Sequence, residues 1–280
     1  MMDRAATLRH IKESQTHWAD SRAIRYTPRR RVFHLSDNLF APLKAETETD
    51  FKAGDGDELG RDESAGKMFS LYSSSALACN VFDYWRGLSL GPLLQACGIQ
   101  DGLNELRFEQ QFATGLPGTP PNLDLLLSGE RGSRVTAIES KLSEPFQSQA
   151  HAKFRPSYFR RDQLWRGLER CRELAEAINT QPNLFNYLNA AQLLKHVLGL
   201  HRTFTTDQFE LLYLWYDVPD STVAGDHRAE VKKFSQTIST EIRFRSVSYQ
   251  EMFESLLPSV KGTEYTRYLR SHYFPARTLS

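Results

Sequence analysis

Asp124, Glu139 and Lys141 are the groups in this chain best suited to a reaction. The aspartate lies in Asn122-Leu123-Asp124-Leu125-Leu126-Leu127. The other two lie in Thr136-Ala137-Ile138-Glu139-Ser140-Lys141. Both runs are short, aliphatic and bounded by turn residues. The polar, glycine-bearing loop Ser128-Gly129-Glu130-Arg131-Gly132-Ser133-Arg134 joins them, so the spacing predicts a β-hairpin. Strand side chains alternate between faces, which puts Glu139 and Lys141 together and Ile138 opposite. A hairpin symmetric about its loop pairs Asp124 with Glu139, with Cβ atoms roughly 4.5–5.5 Å apart. Two buried carboxylates side by side are costly unless something pairs them. A hard divalent cation is the natural partner: Mg2+ takes carboxylate oxygens and keeps several waters, and Mn2+ is the expected substitute. A lysine beside it can orient or deprotonate a water and stabilise developing negative charge. Such a set of groups suits hydrolysis of a phosphodiester.

The order Pro121-Asn122-Leu123-Asp124, fourteen residues, then Glu139-Ser140-Lys141 resembles the active-site signature of the PD-(D/E)xK nuclease superfamily. Within it the chain is similar to a bacterial branch of restriction-endonuclease-like proteins. One departure is that Pro121 stands three before the aspartate rather than next to it, and the proline has no chemical role. The resemblance spans roughly residues 66–217. It implies an α/β fold with a restriction-endonuclease-like mixed central sheet flanked by helices. It also implies a Mg2+-dependent DNA endonuclease in a restriction or defence setting. Asp124 and Glu139 would bind one or two ions with a backbone carbonyl near Ile138 or Ser140, and Lys141 would serve the attacking water. DNA is the implied partner, and a homodimer would cut both strands. The fold often takes a further metal-associated glutamate from the preceding helix, for which Glu63 is the candidate.

The bare pattern recurs at Asp37 with Asp50-Phe51-Lys52 and at Asp217 with Glu230-Val231-Lys232. The first lies in a polar stretch without strand patterning. The second ends on an expected helix, where positions two apart point in different directions. Only the Asp124 match has both halves on strands. The bland reading of that match is a surface ion pair between Glu139 and Lys141, worth under about 1 kcal/mol.

Periodicity gives the scaffold on which these groups would sit. Helices are expected over 3–24, 66–88, 183–200, 225–240, 249–257 and 263–273, and strands over 105–113, 209–217 and 242–247. Residues 44–63 are acidic and glycine-bearing and read as a loop. Glu109 alternates onto the polar face of its strand and is a possible accessory to the carboxylate patch. Gln192 and His196, four apart, share a helical arc. Gln192 is the accessory candidate there, whereas His196 is set aside because the implied metal prefers oxygen. Residues 151–172 interleave Lys153, Arg155, Arg160, Arg161 and Arg166 with Phe154, Tyr158, Phe159 and Trp165. Arginines with aromatics suit phosphate neutralisation and stacking on bases. A partly buried amphipathic helix with a solvated basic side is the bland alternative. Pro28-Arg29-Arg30-Arg31 reads as a solvated basic turn.

A chain of 280 residues suits one large unit, divided in expectation into an N-terminal appendage (1–60), a nuclease-like core (61–220) and a C-terminal helix-strand extension (221–280). The net charge of +1 argues against a simple duplex-coating role and leaves room for a local basic surface. Cys79, Cys97 and Cys171 are far apart, which indicates neither a zinc site nor a disulfide framework and fits a reducing cytoplasm. No run has the length of a signal or a membrane span. The competing class is a catalytically silent nucleic-acid-binding protein with the same fold. A third is an enzyme acting on RNA or a small phosphate ester.

Overall fold

The aliphatic runs form the strands expected of them. The computed structural model describes residues 2–60, 66–99, 102–130, 134–147 and 153–275. Its five strands are β1 (Leu103–Gln111), β2 (Asn122–Gly129), β3 (Val135–Lys141), β4 (Phe209–Trp215) and β5 (Arg243–Ser248), side by side in chain order. The first three pair antiparallel, and β4 and β5 continue parallel to β3. The helices around them are α1 (Arg4–Ser21), α2 (Ala45–Ala53), α3 (Ser74–Phe82), α4 (Gly91–Ala96), α5 (Glu169–Thr180), α6 (Ala190–Thr203), α7 (Thr222–Ile238), α8 (Tyr249–Val260) and α9 (Glu264–His272). Parallel neighbours need long crossovers. Helices α5 and α6 bridge β3 to β4, and α7 bridges β4 to β5. This is the mixed, helix-flanked α/β sheet implied by the resemblance.

Strand alternation sorts the layers. On one face of β3 and β4, Glu139 meets His196 of α6, and Tyr213 meets His227 of α7. On the other, the Ser140 hydroxyl lies 2.6 Å from the Tyr249 hydroxyl of α8, and α3 crosses β2 and β3. Every residue of β4 is buried, as its apolar run requires of a strand covered on both sides.

Several helix boundaries differ from the sequence reading. The long helix expected over 66–88 is a 3-10 turn at Lys67–Phe69, then α3, then another at Asp83–Trp85. Ser73 starts α3 because its hydroxyl accepts the Ala76 N–H at 3.2 Å, a role that competes with helix continuation. The acidic stretch expected as a loop contains α2, whose Asp50 accepts from the Phe108 N–H and pairs with Arg86. The helix expected over 183–200 begins only at Ala190. The N–H groups of Asn186, Tyr187 and Leu188 are instead taken by the Glu230 carboxylate of α7, at 2.7–2.9 Å. Residues 153–168 are two 3-10 turns, Pro156–Tyr158 and Asp162–Trp165, and a helix starts only at Glu169. Proline at 156 and a left-handed Gly167 (φ 79°) interrupt it.

Within the stretch expected as an N-terminal appendage, α1 lies against α9 and the start of α7. Trp18 stacks on His272, the Gln15 amide donates to the His272 carbonyl at 3.0 Å, and Thr7 meets Ser221. One hydrophobic cluster runs from Ile11 to Phe274. Among the described residues no helix is long and apolar enough to cross a membrane.

Candidate active site

The β2–β3 ladder pairs Leu127 with Thr136, Leu126 with Ala137 and Leu125 with Ile138. One further step in that register brings Asp124 opposite Glu139. There the pairing ends, and Asp124 acts through its side chain: Oδ2 accepts the Ser140 backbone N–H at 2.6 Å. The Lys141 ammonium lies 2.5 Å from Glu139 Oε1 and 4.0 Å from Asp124 Oδ2. It thus stands between the two carboxylates, and all three side chains are largely buried, Glu139 almost completely. This is not the exposed surface pair of the bland reading. From α6, His196 Nε2 reaches within 3.0 Å of Glu139 Oε2, also buried. The contacts to Glu139 are at ion-pair distances.

Mutual charge controls protonation. Burial acts to raise the Glu139 carboxyl, but Lys141 and His196 outweigh it and hold the group down, at about 2. Burial and then the Glu139 charge push the Asp124 carboxyl well above the usual range, against Lys141. Burial acts to lower Lys141, yet Glu139 and Asp124 carry it well above an ordinary lysine.

A divalent cation fits these residues. Both Glu139 oxygens are buried without a hydrogen-bond partner, and two carboxylates are a donor set that Mg2+ accepts alongside waters. Among the described residues no cluster of three or more His, Cys, Asp or Glu is arranged to hold a metal. A cation here would have the Asp124–Glu139 pair as its side-chain donors.

Glu109 stands one strand further out, level with Asp124 in the β1–β2 register. It is buried, with a left-handed φ of 51°, and Oε2 accepts from the Asn122 amide at 2.7 Å. Burial, then the charge of Glu58, raise it to about 7. Glu58 is a residue that the sequence patterns do not single out. It is buried, pairs with Lys67 at 3.2 Å, and leaves Oε2 unpartnered. The two carboxylates close on Gly56: a Cβ there would stand 2.8 Å from Glu109 Oε2 and 2.9 Å from Glu58 Oε1. Glu63, the expected extra glutamate, lies outside the described residues. Gln192 is turned to its own helix cap, where its amide oxygen accepts from Asn189 at 3.2 Å. On that arc it is His196 that meets the carboxylates. The signal for it in the sequence is the arc it shares with Gln192, four residues earlier.

Among the basic residues, Lys153, Arg155, Arg160, Arg161 and Arg166 are all exposed. The aromatics between them are not a stacking platform. Phe154 and Trp165 are buried, and Tyr158 and Phe159 pack edge-on or stacked against them. Arg161 donates to the Gly115 carbonyl at 3.0 Å, and Arg202 of α6 approaches the same glycine. That glycine belongs to the loop leading into Asn122 and Asp124, so the basic segment borders the carboxylate end of the hairpin. Lys153 donates to the Asn179 carbonyl, and Lys195, unremarked in the sequence, lies over Phe154 and Tyr158.

Comparison with known proteins gives one family. Its description is Restriction Endonuclease associating with ARP, and it matches residues 6–274. Neither the curated proteins nor the solved structures that were compared gave a match. With almost the whole chain matched, and the sheet and buried carboxylate–lysine cluster in place, the protein belongs to the family of restriction endonucleases described as associating with ARP.

Proposed function

We propose that the chain is a metal-dependent DNA endonuclease, with Asp124 and Glu139 as metal ligands and Lys141 as the third catalytic group. The carrying observation is the Lys141 ammonium seated between the Glu139 and Asp124 carboxylates, 2.5 and 4.0 Å away. It occupies ground that suits a cation. Family membership supports phosphodiester hydrolysis of DNA in a restriction setting.

When bound, Mg2+ or Mn2+ would polarise the scissile phosphate and acidify a water. The chain's own groups do the rest. Asp124 and Glu139 would hold the ion, and the Asp124 carboxylate accepts the Ser140 N–H at 2.6 Å. Lys141, between the two carboxylates, would activate or position the attacking water and offer positive charge to the phosphate. The exposed Arg155, Arg160 and Arg166 offer charge to the DNA backbone beside the site. Arg161 contributes through its hold on the loop at Gly115. Cutting both strands would take two such sites, as a homodimer supplies.

The test is cleavage of plasmid DNA with Mg2+ or Mn2+, beside Asp124→Ala and Lys141→Ala. Cleavage should need the cation and fall by at least about a hundredfold in either variant, on the scale of removing one electrostatic catalytic group. Activity untouched by both changes would end the assignment. Metal-independent DNA binding with no cleavage would favour the silent binding protein.

A further inference from the structure

We infer that His196 is a positioning residue that fixes the Glu139 carboxylate, leaving one oxygen, Oε1, to face the cation. The inference rests on the reading of Asp124 and Glu139 as a metal site.

The two oxygens of Glu139 have different neighbours. Oε1 faces Lys141 and the gap toward Asp124, and Oε2 faces His196 Nε2 at 3.0 Å. His196 is 3% exposed and lies in a helix whose Leu193, Leu194 and Val197 are buried around it. A polar ring in such a place is costly without a partner, and Glu139 is the partner that its Nε2 reaches. The helix cannot draw the ring away. Asn189 caps its start by accepting the Gln192 N–H. Near its end, Gly199 meets the Phe112 carbonyl so closely that a Cβ would stand 2.3 Å from that oxygen. The imidazole is thus carried on a helix pinned at both ends. A carboxylate free to rotate could offer a cation either oxygen or both. With Oε2 set against His196 at 3.0 Å, an ion-pair-distance contact, Glu139 presents Oε1 on the side where the ammonium now sits. When a cation displaces Lys141, the imidazole contact at Oε2 is the one that remains to orient the carboxylate. This is the arrangement by which an outer group orients a metal ligand.

Calorimetric titration of the whole chain with Mn2+ tests the inference, in the wild type, Glu139→Ala, His196→Leu and His196→Gln. Leucine keeps the volume without the nitrogen, and glutamine restores a donor close to the Nε2 position. His196→Leu should weaken Mn2+ about 10–100-fold with little change in melting temperature, and His196→Gln should recover most of that loss. Pulsed electron paramagnetic resonance of the bound Mn2+ should show no coupling to an imidazole nitrogen. Unchanged affinity in His196→Leu, or full loss in a folded His196→Gln, would overturn the positioning role and leave the metal site standing. If His196→Leu does not fold, the glutamine variant alone decides. An imidazole coupling would place His196 on the ion and also overturn the inference. Wild-type protein that binds no Mn2+, or binding that survives Glu139→Ala, would remove the metal reading itself and this inference with it.

Discussion

At the scale of single residues, the site is a balance between one ammonium and two carboxylates. Lys141 now does the work that a cation would do, neutralising charge that burial makes costly. Lys141→Met should therefore destabilise the metal-free protein by about 3 kcal/mol, the order expected when one partner of a buried pair is removed. Mn2+ should raise the melting temperature of that variant more than that of the wild type, because no ammonium has to be displaced. Thermal melts with and without Mn2+ measure the difference, and equal shifts would argue against competition for the same ground. Asp124, Glu139 and Lys141 can be picked out of the sequence because alternation on strands fixes which side chains share a face. Ligand preference sets His196 aside, because a nitrogen ligand suits Mg2+ poorly. Its contact is with the carboxylate, a role that ligand preference does not address.

At the scale of elements, α6 and the segment before α5 set the site's surroundings. Gly199 is where α6 meets the chain leaving β1. Gly199→Ala would place a methyl 2.3 Å from the Phe112 carbonyl and 2.9 Å from its Cβ. Backbone must move to relieve that, so we expect a loss of about 1–3 kcal/mol and reduced cleavage as His196 shifts. Denaturant melts and plasmid assays would show both, and a variant as stable and active as the wild type would contradict this account of α6. The segment over 153–168 carries its basic groups on turns, with its aromatics inward. Its contribution to DNA binding should be charge alone. Replacing Arg155 and Arg160 by alanine should flatten the salt dependence of DNA binding by about 0.9 for each phosphate no longer neutralised. The affinity loss should be similar for all sequences. An unchanged slope from binding titrations across salt would mean that this face does not meet DNA.

At the scale of the whole molecule, two histidines outside the carboxylate cluster tie stability to pH. Burial, with Arg228 nearby, holds His227 down to about 3. Burial, then Arg22, holds His272 well below its usual 6.5. His272 lies between the stacked rings of Trp18 and Tyr273, where the first helix joins the last. Below about pH 6.5 the unfolded chain protonates both, while the folded chain does not. Through these two groups the unfolded state then binds more protons, so their contribution to stability falls as pH falls from about 6.5 toward the folded values, while the raised Glu109 and Asp124 carboxyls act in the opposite sense. The slope is about 1.4 kcal/mol per pH unit for each histidine. Urea unfolding of the wild type and His227→Gln at about pH 7, 6 and 5 should differ in slope by about one such increment. Identical slopes in the two proteins would remove His227 from the account.

The five strands, the hairpin and the convergence of Asp124, Glu139 and Lys141 are legible in the amino-acid order alone. They depend on a two-residue repeat and on turn chemistry, both local. Most of the later elements are legible too, where apolar periodicity is strong. Which helices stop early is settled by three-dimensional packing, because the competing partners are distant along the chain. Glu230 of α7 holds the N–H groups before α6, and Asp50 of α2 holds the N–H of Phe108 in β1. Packing equally brings Glu58 beside Glu109 and His196 beneath Glu139. Such contacts join residues tens of positions apart, and no periodicity within a strand or helix encodes them.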